Sequence, residues 1–445
     1  MNNMVCTLLF LFIIPVLILS GCGSDAETFA SRYPDIVLIL IDTARADHLS
    51  AYGYHRETTP VLDSLALSGT FFTNVQAQSS WTLPAMVTIM TGLSQRAHGA
   101  GYYNDTFYSI DQTLPTIPLM IKRGAGYQTA AVFNGVFMSE AFGFAQGFDH
   151  FDCQSTPGKP CERNAEETVN AFLDWYDEHR DSSKPLFSAI HFIDPHLPYS
   201  PPSPWDTLFS DPKTDSLFNP SWGRRNDVSD LNLGLVEMDS IQLQIMVGLY
   251  DAELAYTDSQ IGRLLSELSA RGTLQNTVFV IVADHGEEFL DHGGFGHGHT
   301  LFQEILNVPL IISGRNIPTA VNHEVVAQID ILPTILGISD LDTPIWSEGK
   351  DILSTDSPRT SRFITSSNLV SSTPDMAAIR LDNMVVIGNP LEGSPVLYDL
   401  TVDPHEQNDL VPGRETIDQL YYYWSLTPNG HPPETPFAHG IERTL

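Results

Sequence analysis

The run IVLILI at residues 36–41 is apolar throughout and rich in β-branched side chains. A strand of this composition is typical of a sheet whose two faces are both covered, because neither side of the strand meets water. Comparable runs follow along the chain, at residues 128–133, 186–193, 277–283 and 308–312. The sequence therefore predicts a buried, mostly parallel central sheet.

Helix-like segments lie between these strands, at residues 59–67, 114–122, 165–180 and 241–271. Alternation of strands and helices predicts a three-layer α/β/α domain. Later in the chain, residues 376–387 and 395–400 alternate in a way that indicates a small antiparallel sheet. We therefore predict a catalytic domain at residues 34–340 and a C-terminal subdomain at residues 341–445.

Polar side chains follow four of the predicted strands directly. They are Asp42, Asn134, Asp194 with His196, and Asp284 with His285. Each of these residues alone could cap the next helix or turn. Together they are expected to meet, because open parallel sheets build their sites beyond the carboxyl ends of the strands. Carboxylate and imidazole groups suit a divalent cation, so the sequence predicts a metal site at this edge.

Residues 79–92, SSWTLPAMVTIMTG, predict a helix whose first turn presents the hydroxyl of Thr82. Pro84 is tolerated in a first turn, and Gly92 is a natural stop. Thr82 alone would be interpreted as an N-cap. Beside the polar strand ends, it becomes a candidate metal ligand and nucleophile, because a helix N-terminus and a metal both stabilise an alkoxide.

Composition limits the class of partner. The chain has 445 residues, of which 42% are hydrophobic, and its 22 basic and 54 acidic residues give a formal charge of −32. Such an excess of negative charge repels polyanions, so we expect no nucleic-acid partner.

The first 22 residues are predicted to be a lipoprotein signal peptide. A short apolar run at residues 8–19 ends in Leu19, Ser20, Gly21 and Cys22, which is similar to a bacterial lipobox. A single membrane-spanning anchor is the alternative, because the segment before the run has no Lys or Arg. Cys22 is expected to carry the lipid, so the membrane becomes a partner and the body faces the periplasm or the exterior at the bacterial cell envelope.

Two further cysteines, Cys153 and Cys161, lie eight positions apart in a polar loop. In an oxidising envelope they are expected to form a loop-closing disulfide, and two unpaired thiols are the alternative.

Eight segments resemble, in order, the landmarks of the sulfatase family within the alkaline phosphatase superfamily. They are IDTARAD (41–47), residues 82–92, GYQTAAVF (126–133), HFIDPHLPY (191–199), YDAELAYTDSQIGRLL (250–265), ADHGEEFLDHGGFGHGHTLF (283–302), DILPTILGI (330–338) and LYDLTVDPHEQNDL (397–410). The resemblance implies an alkaline phosphatase-like fold, a divalent metal ion (Ca²⁺, Mg²⁺, Mn²⁺ or Zn²⁺), and hydrolysis or transfer of a sulfuric or phosphoric ester group. By position, Asp42, Asp284 and His285 match metal ligands, and Thr82 falls where the family has its catalytic Cys or Ser.

The chain departs from the sulfatase pattern at the nucleophile. Sulfatases proper carry C-x-P-x-R and oxidise its first residue to formylglycine, whereas this chain has Thr82 at that position and Met86 in place of the Arg. Threonine is no substrate for that oxidation, so we expect no formylglycine. A threonine nucleophile resembles the phosphodiesterase and phosphoethanolamine-transferase branches, which favours phosphorus chemistry.

The resemblance implies roles for further residues. His297 or His196 would protonate the leaving group or hold the transferred group, and Asn134, at the position of a family Lys, or else Asn104, would hold a non-bridging oxygen. Asp194, His196 and His297 would supply ligands to a second metal, whereas His292 and His299 are expected outside the ligand set. The alternative function is a catalytically inactive family member that binds an anion or acts as a scaffold at the envelope.

Overall fold

The computed structural model describes residues 32–103, 106–153, 163–210, 223, 225–354, 363–367, 376–389, 395–411 and 413. Its strands are β1 (Asp35–Ile41), β2 (Thr70–Gln76), β3 (Gly101–Tyr103), β4 (Thr106–Tyr108), β5 (Gln128–Phe133), β6 (His150–Cys153), β7 (Leu186–Phe192), β8 (Thr277–Ala283), β9 (Glu288–Phe289), β10 (Phe295–Gly296), β11 (Leu310–Gly314), β12 (Ala320–Ala327), β13 (Phe363–Ser367), β14 (Met376–Leu381), β15 (Met384–Gly388) and β16 (Val396–Asp399). Its α-helices are α1 (Pro60–Ser68), α2 (Thr82–Thr91), α3 (Gln95–His98), α4 (Ile117–Ala125), α5 (Ala165–His179), α6 (Arg225–Asn232), α7 (Ser240–Ala270), α8 (Gln303–Leu306) and α9 (Ile331–Ile338).

Eight strands form the central sheet in the order β12-β2-β11-β8-β1-β7-β5-β6. β1 lies near its centre and pairs in parallel with both β7 and β8. Every residue of these three strands is buried, which explains why both of their faces are apolar. β11 differs in direction, because it pairs antiparallel with β8 and β2. The predicted mostly parallel sheet is confirmed.

Two groups of helices cover the sheet. α1 and α5 each pack against α7, whereas α2 and α4 each pack against α9. The longest helix, α7, begins at a capping box in which the Asp239 carboxylate accepts the backbone N–H groups of Ile241 and Gln242. This arrangement confirms the three-layer architecture.

The predicted elements agree with the observed ones to within a few residues, and the differences have local causes. The hydroxyl-bearing helix occupies Thr82–Thr91 and ends at Gly92, whose φ of 66° is a left-handed conformation that glycine adopts without strain. The strands β2, β6 and β12 were not predicted from the sequence. The first half of β12 is exposed at the edge of the sheet, so its polar side chains interrupt the apolar pattern that marks a strand.

A separate antiparallel sheet follows the main domain, with the strand order β13-β14-β15-β16. The predicted C-terminal sheet is therefore confirmed. Among the described residues, no helix has both the length and the apolar character needed to cross a bilayer. The signal peptide, Cys22, Asn104 and Cys161 lie outside the described part of the chain, so the anchor and the disulfide stay predictions.

Candidate active site

The carboxyl ends of β1 and β8 bring three ligands together. The two strands are neighbours, and Ile41 lies opposite Ala283, so the next residues, Asp42 and Asp284, emerge side by side. Ligand atoms of Asp42, Asp284 and His285 all lie within 4.8 Å of one another, and all three residues are buried. The structure thus brings together the predicted metal ligands.

Each carboxylate has an oxygen without a hydrogen bond. Oδ1 of Asp284 accepts the backbone N–H of Thr43 at 3.0 Å and of His285 at 2.8 Å. Within the described structure, Oδ2 of Asp284 and Oδ1 of Asp42 are buried and have no hydrogen-bond partner. A buried carboxylate oxygen without a partner is costly. Two such oxygens beside an imidazole fit a divalent cation.

The imidazole of His285 is prepared for the same role. Its Nδ1 lies 2.9 Å from the carbonyl of Gly286 and donates to it, so Nε2 keeps its lone pair. Nε2 lies 3.3 Å from Oδ2 of Asp284 and 3.9 Å from Oδ1 of Asp42. Burial, followed by the charge of His297, lowers the pKa of His285 to about 3. The ring is therefore neutral, as metal binding requires.

The pKa values of the two carboxylates are shifted in opposite directions. Burial and the neighbouring charge of Asp42 raise the pKa of Asp284 well above its usual value. Burial also acts to raise the pKa of Asp42, but the hydrogen bond from His191 and the charges of nearby imidazoles hold it below its usual value. A cation bound between the two carboxylates would favour the charged form of both.

Thr82 is the first residue of α2 and lies at the edge of this cluster. Its hydroxyl oxygen is 3.4 Å from Nε2 of His285, and the residue is 7% exposed. Trp81 is the N-cap, with an extended backbone, and its carbonyl accepts the N–H of Ala85. Thr82 is therefore not itself the cap, and its hydroxyl faces the cluster.

Two further imidazoles lie beside the cluster, as predicted. The ring of His297 is centred 4.4 Å from that of His285 and 5.0 Å from that of His196. Nδ1 of His297 is 2.8 Å from Oε1 of the buried Glu287, and the hydroxyl of Tyr199 donates to Oε2 of Glu287 at 3.1 Å. Burial acts to lower the pKa of His297, but the charge and the hydrogen bond of Glu287 outweigh it and raise that pKa.

The second predicted ligand set does not assemble. Among the described residues, Asp42, Asp284 and His285 form the one group of three or more His, Cys, Asp or Glu residues whose ligand atoms converge. Nδ1 of His196 is 2.6 Å from the carbonyl of Leu197. Since Asp194, His196 and His297 do not converge, the described part of the chain offers one candidate cation position. His292 and His299 bind Glu304 and Glu288 instead, consistent with their predicted place outside the ligand set.

Asn134 does not present its side chain to the cluster. Its amide donates to the hydroxyl of Thr168 and to the carbonyl of His191, and its oxygen accepts from Arg163 at 3.2 Å. Its backbone carbonyl accepts Nδ1 of His191 at 3.0 Å. The predicted contact of Asn134 with a substrate oxygen is therefore not supported, because both polar atoms of its fully buried side chain bind groups of the protein.

Two residues at the site were missed in the sequence. His191 is a polar residue within the apolar strand β7 and faces Asp42, with Nε2 3.3 Å from Oδ2. Glu287 lies two residues after the candidate ligand His285 and forms an ion pair with His297. A charged or imidazole side chain inside a buried segment needs a partner, and that was the signal available for both.

Comparisons with known proteins agree on one family. The sulfatase family model matches residues 34–341. An arylsulfatase of Clostridium perfringens is 25% identical, over 87% of this chain and 92% of that protein. A protein solved with its substrate D-glucosamine-2-N,6-O-disulfate matches with a TM-score of 0.71 at 19% identity, over 89% of this chain and 99% of that chain. The phosphonate monoester hydrolase of Agrobacterium radiobacter matches with a TM-score of 0.69 at 20% identity, over 88% and 94%.

Proposed function

The chain belongs to the sulfatase family of hydrolases, and we propose that it cleaves a sulfuric or phosphoric ester with the hydroxyl of Thr82 as the nucleophile. One observation carries this proposal. The Thr82 oxygen begins a helix and lies 3.4 Å from the imidazole of a buried Asp42, Asp284 and His285 cluster. A hydroxyl held at a helix N-terminus beside cation ligands is placed to act as an alkoxide.

Asp42, Asp284 and His285 would hold the divalent cation, with Thr82 as a fourth ligand. When bound, the cation supplies charge that lowers the pKa of a coordinated hydroxyl and neutralises ester oxygens. The protein orients the ligands through the backbone N–H groups of Thr43 and His285, which fix the Asp284 carboxylate.

The chemical step is a displacement at the central atom of the ester. The Thr82 hydroxyl loses its proton to solvent, and its oxygen forms a bond to phosphorus or sulfur while the bond to the leaving oxygen breaks. The leaving oxygen takes a proton from an imidazole. His297 is the better proton donor of the two candidates, because Glu287 behind it favours the charged imidazole. His196, whose ring is centred 5.0 Å away, is left to contact the transferred group. Water or an acceptor alcohol then displaces Thr82 from the intermediate.

Two arguments bear on the choice between sulfur and phosphorus. The names of the relatives favour sulfate esters, since one is an arylsulfatase and another was solved with a sulfated sugar. Thr82 favours phosphorus, because a plain alkoxide forms an ester intermediate that has to be hydrolysed, whereas sulfatases expel sulfate from an aldehyde hydrate. A structural neighbour that hydrolyses phosphonate monoesters is consistent with the second argument. We propose that phosphoric or phosphonic esters are the preferred substrates.

A substrate panel tests this proposal. The purified chain is stripped with chelator and given one divalent cation at a time. Turnover is then measured on nitrophenyl sulfate, phosphate monoester, phosphate diester and phosphonate monoester. We expect activity that depends on added cation and favours a phosphorus ester. Efficient sulfate turnover with all phosphorus esters inert would refute the preference, and no turnover on any ester would favour the inactive anion-binding alternative.

A further inference from the structure

The segment directly before α2 is held beside the candidate active site at both of its ends. At its start, the backbone N–H of Gln78 donates to Oε1 of Gln328 at 2.9 Å. The side-chain amide of Gln328 donates in turn to the carbonyl of Asp284 at 2.6 Å. At its end, the hydroxyl of Thr82 lies 3.4 Å from Nε2 of His285. The segment between these contacts therefore lies alongside the site.

Each side chain of this segment, residues 78–81, has a buried polar atom with no hydrogen-bond partner within the described structure. The atoms are Nε2 of Gln78, Oγ of Ser79, Oγ of Ser80 and Nε1 of Trp81. All four residues are at most 2% exposed. Buried polar groups of native proteins are almost always paired, because an unpaired one is costly. Four successive exceptions directly before a candidate nucleophile indicate that the segment binds a polar group from outside the chain.

Trp81 connects this segment to the other side of the site. Its Cβ lies 3.8 Å from the position that a Cβ at Gly298 would occupy, and Gly298 directly follows His297. Its ring contacts the rings of Phe107 and Phe137, with centroids 6.3 and 5.4 Å away. This packing fixes the indole. Its N–H group is a donor that cannot accept, so its partner has to be an acceptor.

From these contacts we infer that Trp81 is a catalytic residue whose indole N–H donates a hydrogen bond to a non-bridging oxygen of the ester group. This is the role that the sequence predicted for Asn134. A fixed neutral donor stabilises negative charge on such an oxygen without reorganising and without giving up its proton. The chemical class of the ligand is a tetrahedral oxyanion. The inference rests on the proposed function, because Thr82 attacks the central atom of the same group.

Binding of inorganic phosphate and of sulfate tests the contact without turnover. The full chain carries an isotope label on the indole nitrogen of its tryptophans and is given the cation that the substrate panel selects. Each anion is then titrated and followed by magnetic resonance. The indole signal that Trp81→Phe removes belongs to Trp81, and we expect at least one of the anions to move it to lower field. A Trp81 signal that stays in place with both anions would overturn the inference.

Kinetics of Trp81 variants test the effect on the reaction. Trp81→Phe keeps an aromatic ring beside Phe107 and Phe137 and removes the donor. We expect kcat/KM on the best ester of the panel to fall about 100-fold, as is usual when one donor to an oxyanion is lost. Replacement of Trp81 by benzothienylalanine, in which sulfur takes the place of the N–H group, keeps the full ring. It should give a similar loss and provides a second measurement if the phenylalanine variant folds poorly.

Trp175 provides the matched control. It is a buried tryptophan of α5, and its ring contacts His150 and Phe172. Trp175→Phe is expected to lower the melting temperature while kcat/KM stays within about twofold of the parent, because distant sites act independently.

The outcomes separate this inference from the proposed function. If both replacements of Trp81 leave kcat/KM as high as Trp175→Phe does, Trp81 has no catalytic role, and the proposed function stands. If Thr82→Val stays active, the proposed nucleophile fails, and the response of the Trp81 signal to the anions still decides whether the indole binds an oxyanion.

Discussion

At the scale of single residues, the proposed chemistry depends on one hydroxyl and on the groups that surround it. Thr82 lies 3.4 Å from His285 and is held at the start of α2 rather than at its cap. His297 reaches the same cluster from a different segment, with Glu287 behind it. The proposed nucleophile and the proposed proton donor therefore occupy separate elements, and each is testable by itself.

The first prediction concerns the nucleophile. Thr82→Ala and the isosteric Thr82→Val are both expected to lower kcat by about a thousandfold or more, because the attacking oxygen is removed. Thr82→Ser keeps the hydroxyl and should retain part of the activity. Steady-state kinetics on the best ester of the panel provides the measurement. The control is Thr91→Val on the same helix, where the hydroxyl only binds the carbonyl of Val87. An active valine variant would contradict direct attack by Thr82.

The second prediction concerns proton donation by His297. Glu287→Gln removes the negative charge beside Nδ1 of His297, so the ring becomes a weaker donor. We expect kcat to fall about 100-fold for an alkyl ester, whose leaving oxygen needs a proton, and only a few-fold for a nitrophenyl ester. Glu288→Gln is the control, because Glu288 binds His299 instead. Equal losses on both esters would argue for a purely structural effect of Glu287.

At the scale of elements, buried carboxylates hold the segment that follows β8. Three histidines of this segment each pair with a glutamate: His292 with Glu304, His297 with Glu287, and His299 with Glu288. The C-terminal part of the chain also contributes, since Oε2 of Glu406 accepts the backbone N–H of Gln303 at 2.7 Å and its carbonyl lies 3.1 Å from Nε2 of His292. The loop that carries His297 is therefore fixed by contacts at His292 before it and at Gln303 after it.

The third prediction is a pH dependence of stability that comes from this segment. Burial acts to lower the pKa of His292, but the hydrogen bond and charge of Glu304 outweigh it and raise that pKa to about 9. Burial raises the pKa of Glu406 to about 8. Both groups bind their proton more tightly in the folded state than in the unfolded state, where the values are about 6.5 and 4.3. The stabilisation from His292 is complete below about pH 6.5 and is lost as the pH rises to about 9. The stabilisation from Glu406 is complete below about pH 4.3 and is lost as the pH rises to about 8.

Thermal unfolding between pH 6 and pH 9.5 measures this effect. The melting temperature of the parent should fall across that range, and His292→Asn should flatten the fall above pH 6.5. His323→Asn, on the exposed part of β12, is the control and should follow the parent. A parent profile that stays level or rises would contradict the prediction.

The fourth prediction concerns the start of α7. Asp239→Ala removes an acceptor for the N–H groups of Ile241 and Gln242, and should cost about 1 kcal/mol of unfolding free energy. Denaturant unfolding measures the loss. Glu237→Ala, two residues earlier at an exposed position, should stay within about 0.5 kcal/mol of the parent. Equal effects of the two substitutions would show that the cap contributes nothing.

At the scale of the whole molecule, the candidate ligands follow strands that are far apart in the sequence. Asp42 follows β1, and Asp284 follows β8, which pairs with β1 in parallel. His191, in β7 on the other side of β1, faces Asp42. The active site therefore exists only when the centre of the sheet is complete.

The fifth prediction concerns attachment to the membrane. We propose that Cys22 becomes a lipidated first residue, on the evidence of the apolar run at residues 8–19 and of Leu19, Ser20 and Gly21 before the cysteine. Cys22→Ala should leave the precursor uncleaved and without lipid. Labelling cells with a radioactive or clickable fatty acid and examining the size of the protein tests both points. Incorporation of label into the alanine variant would refute this attachment.

The sequence by itself determined the sheet, most of its helices and the three residues that form the candidate cation site. Buried strands need apolar, β-branched side chains, and polar residues directly after them have to lie at the edge where parallel strands end, so both signals are local. Residues such as Thr82 and His285 could therefore be selected before any contact was known.

Only the tertiary structure decided which polar groups serve one another. His191 lies within an apolar strand and was not predicted to be part of the site. Asn134 binds His191 rather than an ester oxygen. Glu287 is part of the site because it forms an ion pair with His297. The antiparallel direction of β11 and the presence of the edge strand β12 were not predicted from the sequence either. The physical reason is that a hydrogen bond or a strand pairing depends on distances and directions between residues remote in sequence, and no local pattern encodes those.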